Sequence, residues 1–265
     1  TPARSSSPAV RPRPAPSTET VAGVTASRDP GSKPSVAVLG SGSWGTALAV
    51  HLARTGHRAI LWGIETDELT AMARDRVNSR YLPGIALPDG LEIEHDFARA
   101  MAAAEQLLVV VPSHAFREVL ERAKPLLRPG QRVAWATKGF ELETGKLPHE
   151  VADEVLGPAV PTAVLSGPTF AKEVGAGLPS AMTVASRDAD YAMALARSLS
   201  DENFRVYASS DMTGEAAGGG TRTGPSGLVA GRVRGLRTKM RMLGSTAIVA
   251  EAGVPVHPPG QWSGG

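Results

Sequence analysis

Cysteine is absent from the chain of 265 residues, which excludes disulfides and thiolate catalysis alike. Its 6 histidines are scattered without ligand spacing, with no H-E-x-x-H among them, so no metal site is expected. No run of about 18 apolar residues occurs, so no membrane-spanning helix is expected either. A usable charge excess is missing too, despite a sequence pI of about 9.1. Residues 1–34 hold five basic and two acidic side chains and residues 212–265 hold six and two, so the net charge of +2 leaves −5 for residues 35–211. The part expected to fold is mildly acidic, and overall charge gives no argument for nucleic-acid binding. What the chain does have is 42% hydrophobic residues, enough for a real core in one large or two modest domains.

The ends differ from the middle. Residues 1–34 carry seven prolines among many Ser, Thr and Ala, with no helical or alternating pattern. Such a segment cannot bury enough apolar surface to offset its ordering entropy, and a disordered extension is expected. Arg4, Arg11 and Arg13 suit a transit peptide, but the prolines oppose the amphipathic helix that one needs. Residues 212–265 hold 13 of the 29 glycines and an irregular basic run, Arg232, Arg234, Arg237, Lys239 and Arg241, without interleaved aromatics. A solvated, poorly ordered tail is expected there, with little to support RNA or DNA binding.

Between them, one stretch organises the rest. Val36, Ala37, Val38 and Leu39 form the continuous apolar run of a strand buried on both faces. Gly40, Gly42 and Gly45 follow at G-x-G-x-x-G spacing, and Trp44 to Thr55 has the Leu48/Leu52 periodicity of a helix closed by Gly56. His57 to Trp62 reads as a second strand, and Glu65 lies 20 residues past Gly45. This is the context of a dinucleotide site. Gly40 permits the tight turn, Gly42 lets backbone approach a pyrophosphate, Gly45 lets helix and sheet pack closely, and the helix N-terminus attracts phosphate. Glu65 suits a ribose contact and equally the acidic first turn of the next helix.

Strand and helix patterns then alternate. Helices are predicted over about 66–74, 97–104, 148–156 and 190–199, with one more led by Ser113 as its cap. Strands are predicted at 91–93, 107–111, 132–136, 163–166, 181–184 and 204–207, and loops at 78–84 and 167–173. The alternation argues a Rossmann-like, doubly wound α/β domain over residues 35–211 with a mostly parallel sheet. Ligands in such sheets bind beyond the carboxyl ends of the strands. Three ends matter: the glycine loop; Pro112 to Phe116, where Phe116 could lie against a nicotinamide or adenine ring; and Thr137-Lys138-Gly139. Lys138 reads either as a solvated charge or as a cation over cofactor and substrate, and His114 as an acid–base group or a first-turn surface residue.

The chain from about Ser35 to Tyr207 closely resembles the NAD(P)-dependent glycerol-3-phosphate dehydrogenases of the bacterial type. The matching blocks are GSGSWGTALA (40–49), LWG (61–63), NSRYLPG (78–84), VVVPSHAFREVL (109–120), WATKGFELETGKL (135–147), SGPTFAKEVGAGLPSAM (166–182) and FRVYASSDMTG (204–214). The resemblance implies interconversion of dihydroxyacetone phosphate and glycerol 3-phosphate, feeding phospholipid synthesis in the cytoplasm. It implies cofactor contacts at Ser43 and Trp44, cofactor and substrate contacts at Lys138, substrate contacts at Gly167 and Thr169, and a cofactor contact at Ala171. Family members often carry His or Arg around positions 64 and 65 to meet a 2′-phosphate. Ile64 and Glu65 here point toward NAD rather than NADP. A homodimer is compatible with the sequence.

The resemblance stops after Gly214. The family's acid–base lysine, in a Gly-Gly-Ala-Val-Lys-Asn type motif, is not found, and Arg222 near its expected position cannot replace it because Arg is not deprotonated. A shifted reading frame or truncated gene is the expected origin of the change, testable in the DNA across codons 211–220, and an uncovered apolar face is expected to promote self-association. The alternatives are an inactive nucleotide-binding remnant, or a related phosphorylated-substrate or hydroxyacid dehydrogenase.

Overall fold

The structure, a computed structural model, describes residues 33–212. The extension expected over 1–34 and the tail expected over 212–265 lie, but for their innermost residues, outside the described residues.

The elements run β1 (Val36–Leu39), α1 (Ser43–Arg54), β2 (Ala59–Trp62), α2 (Thr66–Asp75), β3 (Val77–Asn78), β4 (Leu82–Ala86), β5 (Leu91–Glu94), α3 (Phe97–Ala103), β6 (Gln106–Val109), α4 (Ser113–Ala123), β7 (Arg132–Trp135), α5 (Pro148–Leu156), β8 (Thr162–Ser166), α6 (Ala171–Ala176), β9 (Ser180–Ala185), α7 (Ala189–Leu199) and β10 (Phe204–Ser209). Eight strands form one sheet in the order β10-β9-β8-β7-β6-β1-β2-β5. Every neighbouring pair is parallel except β8 and β9, which run antiparallel. The expected Rossmann-like, mostly parallel sheet is what forms.

The apolar runs explain the layering. Side chains alternate across a strand, so Val36 and Val38 enter one core while Ala37 and Leu39 enter the other. The first core is closed by Leu48 and Leu52 of α1 and Leu195 and Leu199 of α7. The second is closed by Phe97 and Met101 of α3, Phe116 and Leu120 of α4, and Val151 and Val155 of α5. Helices on both faces are why the inner strands show no polar alternation. Gly56 ends α1 as expected: its φ is +84° and its N–H donates to the Ala53 carbonyl at 3.2 Å.

Three local expectations need correction. The stretch 78–84 is no simple loop, because β3 and β4 form a small antiparallel hairpin whose Leu82 and Ile85 are buried in the first core. Pro83 and Gly84 disguise a strand too short to show its alternation. The loop after Gly167 gives way to α6, whose Glu173 carboxylate accepts the Phe170 N–H at 3.4 Å and whose end is a left-handed Gly177 at φ +73°. Ser113 does not cap α4. It is the first helical residue, Pro112 precedes it, and no side chain caps that helix.

Candidate nucleotide-binding site

Strand order creates the cleft. β1 lies between β2, reached through α1, and β6, reached later in the chain, so the crossovers diverge between β1 and β6. Backbone bonds carry the strand ends in register: Gly40 N–H to Trp62 C=O at 2.8 Å, Val110 N–H to Leu39 C=O at 2.8 Å, and Ala136 N–H to Val109 C=O at 2.9 Å. The Thr137 hydroxyl donates to the Val111 carbonyl at 2.8 Å, fixing the exit of β7 against that of β6.

The glycine loop has the geometry its spacing predicts. Gly40 has φ +127°, and a Cβ there would lie 2.1 Å from the Val110 carbonyl oxygen. A Cβ on Gly45 would lie 1.9 Å from the Gly40 carbonyl oxygen, so helix and loop touch backbone to backbone. Gly42 differs, since a Cβ on it would meet nothing within 4 Å. Two glycines are therefore required by the fold, and the middle one opens outward.

Helix starts sharpen the picture. The N-terminus of α3 is capped by Asp96, which accepts the Arg99 N–H, and that of α7 by Asp188, which accepts the Tyr191 N–H. Neither α1 nor α4 has a side-chain cap or an acid in its first turn. Both begin at the ends of strands flanking the switch point. Their first N–H groups and positive dipole ends are left for an anion. Ser43 opens α1 and is exposed; Trp44 follows, half-buried, with an indole N–H that has no partner.

The remaining predicted residues fall at neighbouring strand ends. Lys138, exposed after β7, donates from Nζ to the Gly167 carbonyl at 3.2 Å, which brings together two residues 29 positions apart. Thr169 carries a buried hydroxyl without a partner, and Ala171 opens α6 against the first core. The loop after Lys138 is tied down by Arg117, which pairs with Glu141 at 2.7 Å and Glu154 at 2.9 Å. Bonding to Arg117 and to the Thr144 hydroxyl holds the Glu141 carboxyl down at about 2. Phe116 is only 2% exposed and its ring meets that of Trp135 edge-on, so it presents no open ring face in this structure. His114 is exposed on the first turn of α4.

Glu65 follows β2 and accepts the Tyr81 hydroxyl at 2.8 Å, a bond that raises the phenol pKa. Tyr81 was not signalled by sequence, and neither was Asn78. Asn78 is 1% exposed and donates to the Ser41 carbonyl at 2.9 Å and the Thr46 hydroxyl at 2.8 Å. The available signal was a polar block, NSRY, just after a helix, which marks a turn more often than a buried anchor.

An open glycine, uncapped helix starts at the switch point and a lysine-bearing strand end define a Rossmann-like dinucleotide-binding domain. Residues 35–192 match the family described as NAD-dependent glycerol-3-phosphate dehydrogenase N-terminus, and the chain belongs to that family. The glycerol-3-phosphate dehydrogenase (NAD(P)+) of Serratia proteamaculans strain 568 is 52% identical over 189 residues, covering 71% of this chain and 56% of that protein. Its counterpart from Escherichia coli strain K12 / DH10B is 50% identical over the same shares. The crystal structure of glycerol-3-phosphate dehydrogenase from Coxiella burnetii superposes with a TM-score of 0.65 at 44% identity, covering 68% of this chain and 55% of that one. The chain thus spans little more than half the length of the relatives it matches.

Proposed function

We propose that this chain supplies the nucleotide-holding part of an NAD(P)-dependent glycerol-3-phosphate dehydrogenase, acting on the dihydroxyacetone phosphate/glycerol 3-phosphate pair in cytoplasmic phospholipid synthesis. The observation that carries the reading is the uncapped start of α1 behind the open Gly42. Gly40 and Gly45 shape the loop, while backbone at Gly42 and Ser43 holds the diphosphate of the cofactor. Trp44 and Ala171 bound the cofactor, and Glu65 meets the ribose. A nicotinamide cofactor held there would supply the hydride chemistry at the substrate carbon. The chain's own part is orientation and charge. Lys138 sets a cation where negative charge develops on the reacting oxygen, and Gly167 and Thr169 hold the substrate.

Exposed, uncharged Ile64 beside Glu65 offers nothing to a 2′-phosphate, which supports NAD over NADP. The acid–base lysine implied by the resemblance is assigned to no described residue, and Arg222 lies outside them. The second reading, nucleotide binding without turnover, is favoured by the match covering only 56% of the length of the glycerol-3-phosphate dehydrogenases it resembles. Calorimetric titration with NADH, alongside NADH oxidation in the presence of dihydroxyacetone phosphate, separates the two. Binding with turnover supports the dehydrogenase. Binding alone leaves the nucleotide-holding reading and removes catalysis by this chain. No binding overturns both.

A further inference from the structure

We infer that Tyr81 is a positioning residue for nucleotide choice: its hydroxyl holds the Glu65 carboxylate to receive a ribose with a free 2′-hydroxyl and to repel one bearing a 2′-phosphate. The inference rests on the nucleotide-holding reading above.

Tyr81 lies in the connection of the β3–β4 hairpin and reaches back to the end of β2, where its hydroxyl donates to Glu65 Oε1 at 2.8 Å. Glu65 Oε2 has no donor among the described residues, so one oxygen is anchored and the other is left for a ligand hydroxyl. A phenol fixes the carboxylate without neutralising it. An arginine in the same place would cancel the charge that repels phosphate. Such an arginine is close by but engaged elsewhere. Arg80 pairs with Glu68 at 3.2 Å, and its guanidinium lies 5.0 Å from the centre of the Tyr81 ring. The hairpin is itself fixed, since the Tyr81 N–H donates to Asn78 Oδ1 at 3.0 Å and Asn78 bonds the glycine loop. The backbone that carries the phenol is therefore tied to the loop that would hold the diphosphate.

The test uses the full chain and its Tyr81→Phe and Glu65→Gln variants, titrated with NADH, NADPH and 2′-deoxy-NADH. Tyr81→Phe is expected to weaken NADH about five- to tenfold, the cost of ordering a carboxylate that is no longer held in place, while NADPH changes by less than about twofold. With 2′-deoxy-NADH the variant and parent are expected to agree within about twofold, because the ligand lacks the hydroxyl that Glu65 would accept. Glu65→Gln is expected to narrow the NADH-to-NADPH preference in the same direction. Equal weakening of all three ligands, or an unchanged preference in both variants, overturns the positioning role while leaving nucleotide binding intact. A parent chain that binds none of them overturns the underlying reading and the inference with it.

Discussion

The side-chain amide of Asn78 bonds the backbone carbonyl of Ser41 at 2.9 Å, so a hairpin that follows α2 holds the loop that follows β1. A second bond from the same amide, to the Thr46 hydroxyl at 2.8 Å, reaches the first turn of α1. Asn78→Leu would strand the Ser41 carbonyl and the Thr46 hydroxyl with each other alone. The expected cost is about 2 kcal/mol of stability, read from urea unfolding, together with weakened NADH binding. An Asn78→Leu protein with unchanged unfolding midpoint and affinity would show the anchor to be dispensable.

The three glycines of the loop are expected to fail differently when given a methyl group. Gly45→Ala drives a carbon into the Gly40 carbonyl and should reduce folded yield and melting temperature. Gly42→Ala meets open space, so the fold should survive with unfolding free energy within about 0.5 kcal/mol of the parent. Its methyl group would stand where the diphosphate must approach, and NADH affinity should fall by at least about tenfold. Equal affinities for parent and Gly42→Ala would argue against phosphate at this turn.

Acid should loosen the junction between α1 and α7. The His57 Nε2 meets the Ser198 hydroxyl at 2.7 Å, and its Nδ1 meets the Thr55 hydroxyl at 3.2 Å. Burial, helped by the nearby Lys33 charge, lowers its pKa from 6.5 to about 4. Between those values the unfolded chain binds the extra proton. Stability is therefore full above about pH 6.5 and declines toward pH 4, by about 3 kcal/mol for this residue. His51, lowered chiefly by burial, acts in the same direction. Urea unfolding at pH 7.5 and pH 4.5 measures the fall, and His57→Gln should flatten it. A parent equally stable at both pH values would remove the buried-histidine account.

Lys138→Met is expected to separate function from folding. The ammonium is exposed and its bond to the Gly167 carbonyl is a single contact at 3.2 Å, so unfolding should change by no more than about 0.5 kcal/mol. Any NADH oxidation with dihydroxyacetone phosphate should fall by at least about a hundredfold. Retained turnover in Lys138→Met would remove its electrostatic role.

Much of this was legible in the sequence because both faces of the inner strands are covered. Runs such as Val36–Leu39 and Leu107–Val109 stand out whole, and the glycine spacing sits on a strand-to-helix turn. What stayed hidden was short or nonlocal. The hairpin has a two-residue strand, and α6 has six residues, too few for a period to register. Tyr81 meets Glu65 across sixteen positions and Lys138 meets Gly167 across 29, pairings that no local pattern encodes. Ser113 misled because a serine after a strand suits a cap, yet the rigid proline before it already occupies the lead-in to α4.

The reversal at β9 decides where the chain departs. Since β10 runs beside β9 and Ser209 pairs with Ala185, the last strand ends in the row that runs through Val164, Trp135 and Val109 to Leu39, the residue before Gly40. Any chemical group contributed from past Met212 therefore sets out level with Gly40 but five strand spacings to the side, on the order of 24 Å across the sheet.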